Sequence, residues 1–400
     1  MFCFRVINFR IPFYKRNIKF QDIFCPIYLL LCWFGLFPCN IKFSNSTKKY
    51  KILHKSVIFN AICAVFYNLI IISLVIVHVR VLTNESRSIG LTVMTTINYS
   101  VQLITLMMSC IVTYICSYHK RFNYANILNK LACSWFSLPN TNCYILRRLY
   151  NHTLICITIL IMIVLSLIIV VCTREGLIWE SLLMTFSFDL PQFILYVVIT
   201  FYYMLMLTIR AVLSNIKENC LNLMKVKNTP QYYINLETKK STVSTKYLEL
   251  VYVQTIEVKC EIIKAFRMTI ILILIQIFHA IVTIALTLYH QIMFHINIST
   301  YNIVVSALHL CFQILKLYAL ADSGDMLKIE VNEIARALHN IPIKQNIGIM
   351  MKVQRFSTLI SYFSPVVTVY DFFPLDATLI FNVLASATTY FIIFVQLEKK

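Results

Sequence analysis

Glycine is scarce in this chain: five residues in 400, where about 7% is usual. Gly35, Gly90, Gly176, Gly324 and Gly348 lie too far apart to build a phosphate-cradling loop, which excludes P-loop and dinucleotide-binding folds. Charge is scarce too, at 13% against about 25% in soluble domains. With 59% hydrophobic side chains and a mean hydropathy of +0.74, there is too little polar surface to wrap a water-soluble globule. Acidic groups are the scarcer sign, 17 Asp and Glu against 36 Lys and Arg, a net charge of +19. In a soluble protein that excess would indicate nucleic acid. Here the basic residues sit between apolar runs, so membrane lipid is the expected neighbour and nucleic acid is not. The fourteen cysteines show no spacing typical of a zinc site or a disulfide framework. Most, such as Cys63, Cys110, Cys116 and Cys156, lie in apolar runs, where cysteine acts as a small hydrophobe. What remains is an all-α, polytopic membrane protein.

A hydrocarbon core about 30 Å thick needs about 20 mostly apolar helical residues. Seven stretches meet that requirement: 57–79, 91–116, 153–172, 182–208, 268–289, 302–321 and 376–396. A shorter apolar stretch at 23–38, bounded by Pro26 and Pro38, reads as an interfacial helix. Cytoplasmic loops collect Lys and Arg. Alternate loops hold 31 of the 36 on one side and 5 on the other, which predicts a cytoplasmic N-terminus and an extracellular C-terminus. The expected organisation is then a cytoplasmic segment at 1–56, a six-helix bundle at 57–321 with cytoplasmic extensions at 209–267, and a cytoplasmic anchor region at 322–375. A seventh helix at 376–396 and an extracellular tail at 397–400 complete it. The sequons at Asn84 and Asn297 fall in expected external loops and are glycosylation candidates. External loops are short, so a ligand would have to bind within the bundle.

Polar groups in hydrocarbon are costly and should face protein, water or ligand. In the last span Asn382, Ser386, Thr389, Ile393 and Gln396 follow at steps of three and four, one stripe of a helix. Such a stripe suits a water-filled path or a packing seam between helices. At the inner start of that span stand Pro374 and Asp376, proline being tolerated in a first helical turn and a carboxylate favoured at the positive helix end. Asp189 sits just before Pro191 in the fourth span, where it would meet a ligand, meet a histidine such as His290, or be solvated at the headgroups. Tyr99 and Gln102, Gln192 and Tyr196, His279 and Tyr289, and Ser306, His309 and Gln313 occupy the outer halves of spans. Aromatics with a few hydrogen-bonding groups suit small organic ligands, and each single residue would equally serve as an interfacial anchor or an interhelix bond. No nucleophile–base pair or metal cluster emerges, since His290 and His295 are five apart. Neither enzymatic activity nor a cofactor is expected.

The final segment, from Phe373, Leu375 and Asp376 through Thr389, Tyr390 and Gln396, resembles the signature of the insect gustatory receptors, which ends in Thr-Tyr, five hydrophobic residues and Gln. Gly35-Leu36-Phe37-Pro38 is similar to an element often seen before their first span. Asp371 stands where that family commonly has glycine, and Leu397 where it has phenylalanine. Phe391 follows Thr389-Tyr390 where the sugar-receptor branch has glutamate, which points to a bitter-type or orphan receptor. The resemblance implies a tetrameric, homo- or heteromeric, ligand-gated nonselective cation channel in the plasma membrane of sensory neurons. A small-molecule tastant would open it, and the seventh helix would line the pore. The alternatives are an odorant receptor of the same superfamily and a G-protein-coupled receptor. The former is disfavoured by the intact signature. The latter is disfavoured by the charge asymmetry and by the lack of Asp-Arg-Tyr and Asn-Pro-x-x-Tyr motifs.

Overall fold

The structure, a computed structural model, describes residues 20–37, 40–44, 49–53, 57–89, 93–138, 143–173, 179–227, 245–293, 300–340, 347–363 and 365–398. Among these, helix α1 (Phe20–Trp33) is followed by strands β1 (Asn40–Ser44) and β2 (Lys49–Leu53). Then come α2 (Val57–Ile89), α3 (Val93–His119), α4 (Arg121–Ser137), α5 (Cys143–Thr173), α6 (Trp179–Lys227), α7 (Thr245–Met293), α8 (Thr300–His339) and α9 (Ile347–Tyr362). Strands β3 (Thr368–Val369) and β4 (Phe373–Pro374) precede the last helix, α10 (Ala377–Glu398). Seven of these helices, α2, α3, α5, α6, α7, α8 and α10, are long and apolar enough to cross a membrane.

The β1–β2 hairpin departs from the all-helical expectation. Ile41 pairs with Ile52 and Phe43 with Tyr50, and the lysines and serine between them give an apolar–polar alternation of period two, which suits a strand and not a helix. In α1, Phe20, Ile23, Phe24, Ile27 and Leu31 recur at helical spacing and form a buried face that docks on α5 and α6. Gly35 then turns the chain at φ 66°, a conformation glycine takes without steric cost, and Leu36 and Phe37 are buried in turn. Helix α4 ends at Leu138, whose extended backbone is what a following proline requires.

Helix α6 is the core of the bundle. It packs against α1, α2, α3, α4, α5, α7 and α8, and every residue from Ile194 to Ile209 is buried. Its sequence there is almost wholly apolar on all sides, as a fully enclosed helix must be. Helix α10 is the opposite case, packed chiefly on α7 and α8. Only 11% of its span is buried, against 94% for the α6 span.

Helices α6 and α7 have 49 residues each and α8 has 40, about 74 and about 60 Å at about 1.5 Å per residue. They therefore outrun a hydrocarbon core of about 30 Å. The overrun is tied together by ion pairs: Lys217 on α6 meets Glu330 at 2.7 Å and Glu333 at 2.5 Å on α8, and Arg210 meets Glu330 at 3.4 Å. At the α3–α4 corner the Lys120 ammonium donates to the carbonyls of Lys264 and Ala265 on α7, at 3.0 and 2.9 Å. Partial burial there lowers its pKa from the ordinary lysine value.

Between α9 and α10 the chain forms a tight β3–β4 hairpin. The Phe372 amide donates to the Val369 carbonyl at 3.2 Å, and Tyr370 and Asp371 hold φ of 53° and 57°, the positive values that a type I′ turn demands. Pro374 ends β4 opposite Thr368, so it precedes the helix and does not enter its first turn. The N-terminal carboxylate expected of Asp376 is found: its Oδ1 accepts the Thr378 amide at 3.0 Å.

Candidate functional site

At the end of the bundle where α2 leaves and α3 enters, three of the expected residues come together. Tyr99 on α3, Asp189 on α6 and His309 on α8 surround Phe188. Its ring centroid lies 5.1 Å from that of Tyr99 and 6.5 Å from that of His309. Asp189 Oδ1 and His309 Nε2 are 3.7 Å apart, so the histidine that faces this carboxylate is His309 and not His290. His78 on α2 completes the group. It is fully buried, hydrogen-bonded to the Ser187 hydroxyl, and 5.7 Å from the Tyr99 ring. Sequence reasoning passed over His78, although an ionisable residue inside an otherwise apolar span is a functional signal by itself.

Two helical turns along α8, a second polar group lies at the centre of the bundle. Lys316 is fully buried, and its ammonium donates to Gln192 Oε1 on α6 and to Gln276 Oε1 on α7, the latter at 2.8 Å. Beside it Tyr196 stacks on Phe312 at 5.1 Å, and the Lys316 ammonium lies 5.2 Å from the Phe312 ring centre. Gln192 and Tyr196 were expected site residues; Lys316 and Gln276 were not. The count of 31 basic residues on the cytoplasmic side includes Lys316, which stands five residues before the end of its expected span. The apolar residues on both sides, Ile314, Leu315 and Leu317, were the signal that it lies within the bundle.

The other expected residues disperse. Gln102 is buried on α3. His279 lends its carbonyl to the Thr283 hydroxyl at 2.9 Å, and that hydroxyl also receives the Asn98 amide at 3.0 Å, an interhelix bond between α3 and α7. Tyr289 meets Phe391 of α10 edge-on at 5.9 Å, away from the Phe188 cluster. Ser306 is half-buried on α8, one turn before His309, and Gln313 is buried one turn after it. Asn84 lies within α2, which continues to Ile89 with no glycine or proline to stop it, so that sequon is helical and not in a loop. Asn297 lies outside the described residues.

On α10 the residues sort by face. Leu379 and Ala387 are buried, and Ile380, Val383, Phe391 and Phe394 are half-buried against α7 and α8. Asn382, Ser386, Thr389, Ile393 and Gln396 are all exposed, as are the apolar Phe381, Leu384 and Ile392. The Thr389 hydroxyl bonds back to the Ala385 carbonyl at 3.0 Å, which satisfies its proton without a neighbouring helix. Tyr390 packs edge-on against Phe278 of α7 at 5.4 Å. Phe373 is exposed on the hairpin, and Leu375, nearly fully buried, donates its amide to the Val367 carbonyl at 2.8 Å.

The family described as 7tm chemosensory receptor matches residues 24–400. No curated protein matches the chain. Among solved structures, the insect olfactory receptor OR5 from Machilis hrabei has a TM-score of 0.64 at 11% identity, over 94% of this chain and 98% of that one. The same receptor in complex with eugenol has a TM-score of 0.65 at 12% identity, over the same shares. At such identity the likeness speaks for the fold.

Proposed function

Because the chain belongs to the 7tm chemosensory receptor family, we propose that it is a gustatory receptor subunit. In this reading it is a ligand-gated, nonselective cation channel of the sensory-neuron plasma membrane, opened by a small tastant and assembled as a homo- or heterotetramer with related subunits. Phe391 after Thr389-Tyr390 favours a bitter-type or orphan receptor over a sugar receptor. The eugenol complex of the Machilis receptor supports a small organic ligand.

The observation that carries this reading is the two-faced α10. Its apolar ridge packs on α7 and α8, while Asn382, Ser386, Thr389 and Gln396 are exposed. In hydrocarbon such groups are costly to leave without partners. Copies of the chain arranged around an axis would turn the stripes inward onto a common water-filled path. The ligand enters the bundle among α2, α3, α6 and α8, past Tyr99, Phe188, Asp189 and His309. Helix α8 relays the event, because it carries His309 and Lys316 at one end and meets the start of α10 at Gly324 and Asp325. Gly324 is eight residues beyond Lys316, about 12 Å along the helix. Gating requires that the ligand bind one of two bundle packings better than the other.

The test is cysteine substitution. Thr389→Cys and Gln396→Cys channels should lose current on exposure to a thiol reagent while open, and the unsubstituted channel should not. Unchanged current after confirmed labelling would return the stripe to the role of a packing seam.

A further inference from the structure

We propose that Lys316 is the recognition residue for an anionic group on the ligand, a carboxylate carried by a small organic molecule with an aromatic body. The proposal rests on the reading that a ligand enters the bundle, and it adds the chemical class of that ligand. An ammonium offers three donors and no acceptor. Lys316 spends two of them on the neutral amide oxygens of Gln192 and Gln276 and lies beside the Phe312 ring. Among the described residues no carboxylate lies within ion-pair distance of it, and Asp189 on the same face of α6 is turned to His309. A cation withdrawn from water in this way either gives up its proton or is held charged by an opposite charge, which an arriving carboxylate supplies.

A second observation points to the same place. Gln276 Nε2, the donor end of the amide whose oxygen already holds Lys316, is buried without a hydrogen-bond partner. A carboxylate arriving here takes one N–H from Lys316 with one oxygen and one N–H from Gln276 with the other. The stacked pair Tyr196 and Phe312 supplies a flat apolar wall for the rest of the molecule. Entry of the ligand requires the Gln192 side chain to release Lys316 and swing aside.

The full-length receptor, purified in detergent, is heated with benzoate, phenylacetate and cinnamate and separately with their methyl esters. At least one acid should raise the unfolding midpoint while its ester does not. Lys316→Gln should weaken that acid at least tenfold, and Lys316→Arg should retain most of the effect. Gln276→Met, which removes the second donor together with one of the two amide oxygens that hold Lys316, should weaken it several-fold and serves should Lys316→Gln not fold. Esters as effective as acids, acids as effective on Lys316→Gln, or no stabilisation of the wild type would overturn the proposal. Stabilisation by chloride alone would also overturn it, assigning the charge to an inorganic ion. Patch clamp separates the two readings. Acid binding without evoked current leaves this site standing and counts against the channel, whereas current evoked by neutral compounds with no acid binding does the reverse.

Discussion

A β-carbon built on Gly324 would stand 1.7 Å from the carbonyl oxygen of Leu375 and 2.9 Å from its carbonyl carbon. Helix α8 and the segment leading into α10 therefore meet backbone to backbone, with no side chain between them. The next residue, Asp325, accepts the Ala377 amide at 2.8 Å. The first turn of α10 is thus capped from two directions, by its own Asp376 and by an acid of α8, which satisfies amides that a helix start otherwise leaves open. A movement of α8 reaches α10 through this joint directly.

Gly324→Ala should accordingly be far more damaging than its size suggests. Overpacking a well-filled site costs about 1–3 kcal/mol when side chains can yield, and here the obstructing atoms are backbone. The expected outcome is a lower unfolding midpoint for the purified receptor, together with reduced evoked current per channel at the cell surface. A variant with wild-type midpoint and wild-type current would show that the two segments separate freely.

The turn at Tyr370 and Asp371 tests backbone strain at two adjacent positions with different expected results. A left-handed residue other than glycine costs about 1–2 kcal/mol, less for Asp than for most. Asp371 offsets part of that cost through the Thr368 hydroxyl, which donates to its Oδ1 at 2.9 Å, an exposed bond. Asp371→Gly should leave the unfolding midpoint near wild type, since strain and bond are lost together, while the β-branched Asp371→Val should lower it. Tyr370→Gly should lower it despite the easier backbone, because Tyr370 carries the Arg267 guanidinium over its ring at 4.6 Å and touches the Met268 sulfur. Scanning fluorimetry of the three variants decides the matter.

The long apolar spans were legible in the sequence because each depends on local composition alone. The polar stripe from Asn382 to Gln396 could be drawn without knowing what lies opposite. The Phe188 cluster was half legible. Tyr99, Asp189 and His309 announce themselves as polar groups in apolar runs, but that they meet one another is decided by how α3, α6 and α8 cross, which no single helix records. Lys316 was misplaced for the opposite reason. Counting charges by proximity to a span end treats a lysine as cytoplasmic, whereas the amide oxygens that keep it inside come from Gln192 and Gln276 on two other helices. Gly324 carried no sequence signal at all, since its role lies in a contact with a segment 51 residues away in the chain.

The same long helices carry a prediction about the orientation of the bundle. The overrun of α6, α7 and α8 lies at one end of the bundle and carries Arg210, Lys217, Lys259, Lys264 and Arg267, paired in part to Glu330 and Glu333. Segments this polar belong in water, and Lys and Arg in such number favour the cytoplasmic side. With seven candidate spans among the described residues, the two termini are then expected on opposite sides. An epitope tag placed after Lys400 should bind antibody on intact cells, and a tag before Met1 should bind only after permeabilisation. The reverse pattern would put the basic overrun outside, reverse the side from which ligand reaches Asp189 and Lys316, and remove the charge asymmetry as a guide to this chain. An exposed C-terminal tag with a hidden N-terminal one would place the Phe188 cluster and Lys316 on the extracellular side of the α8–α10 joint, the arrangement that a tastant arriving from outside requires.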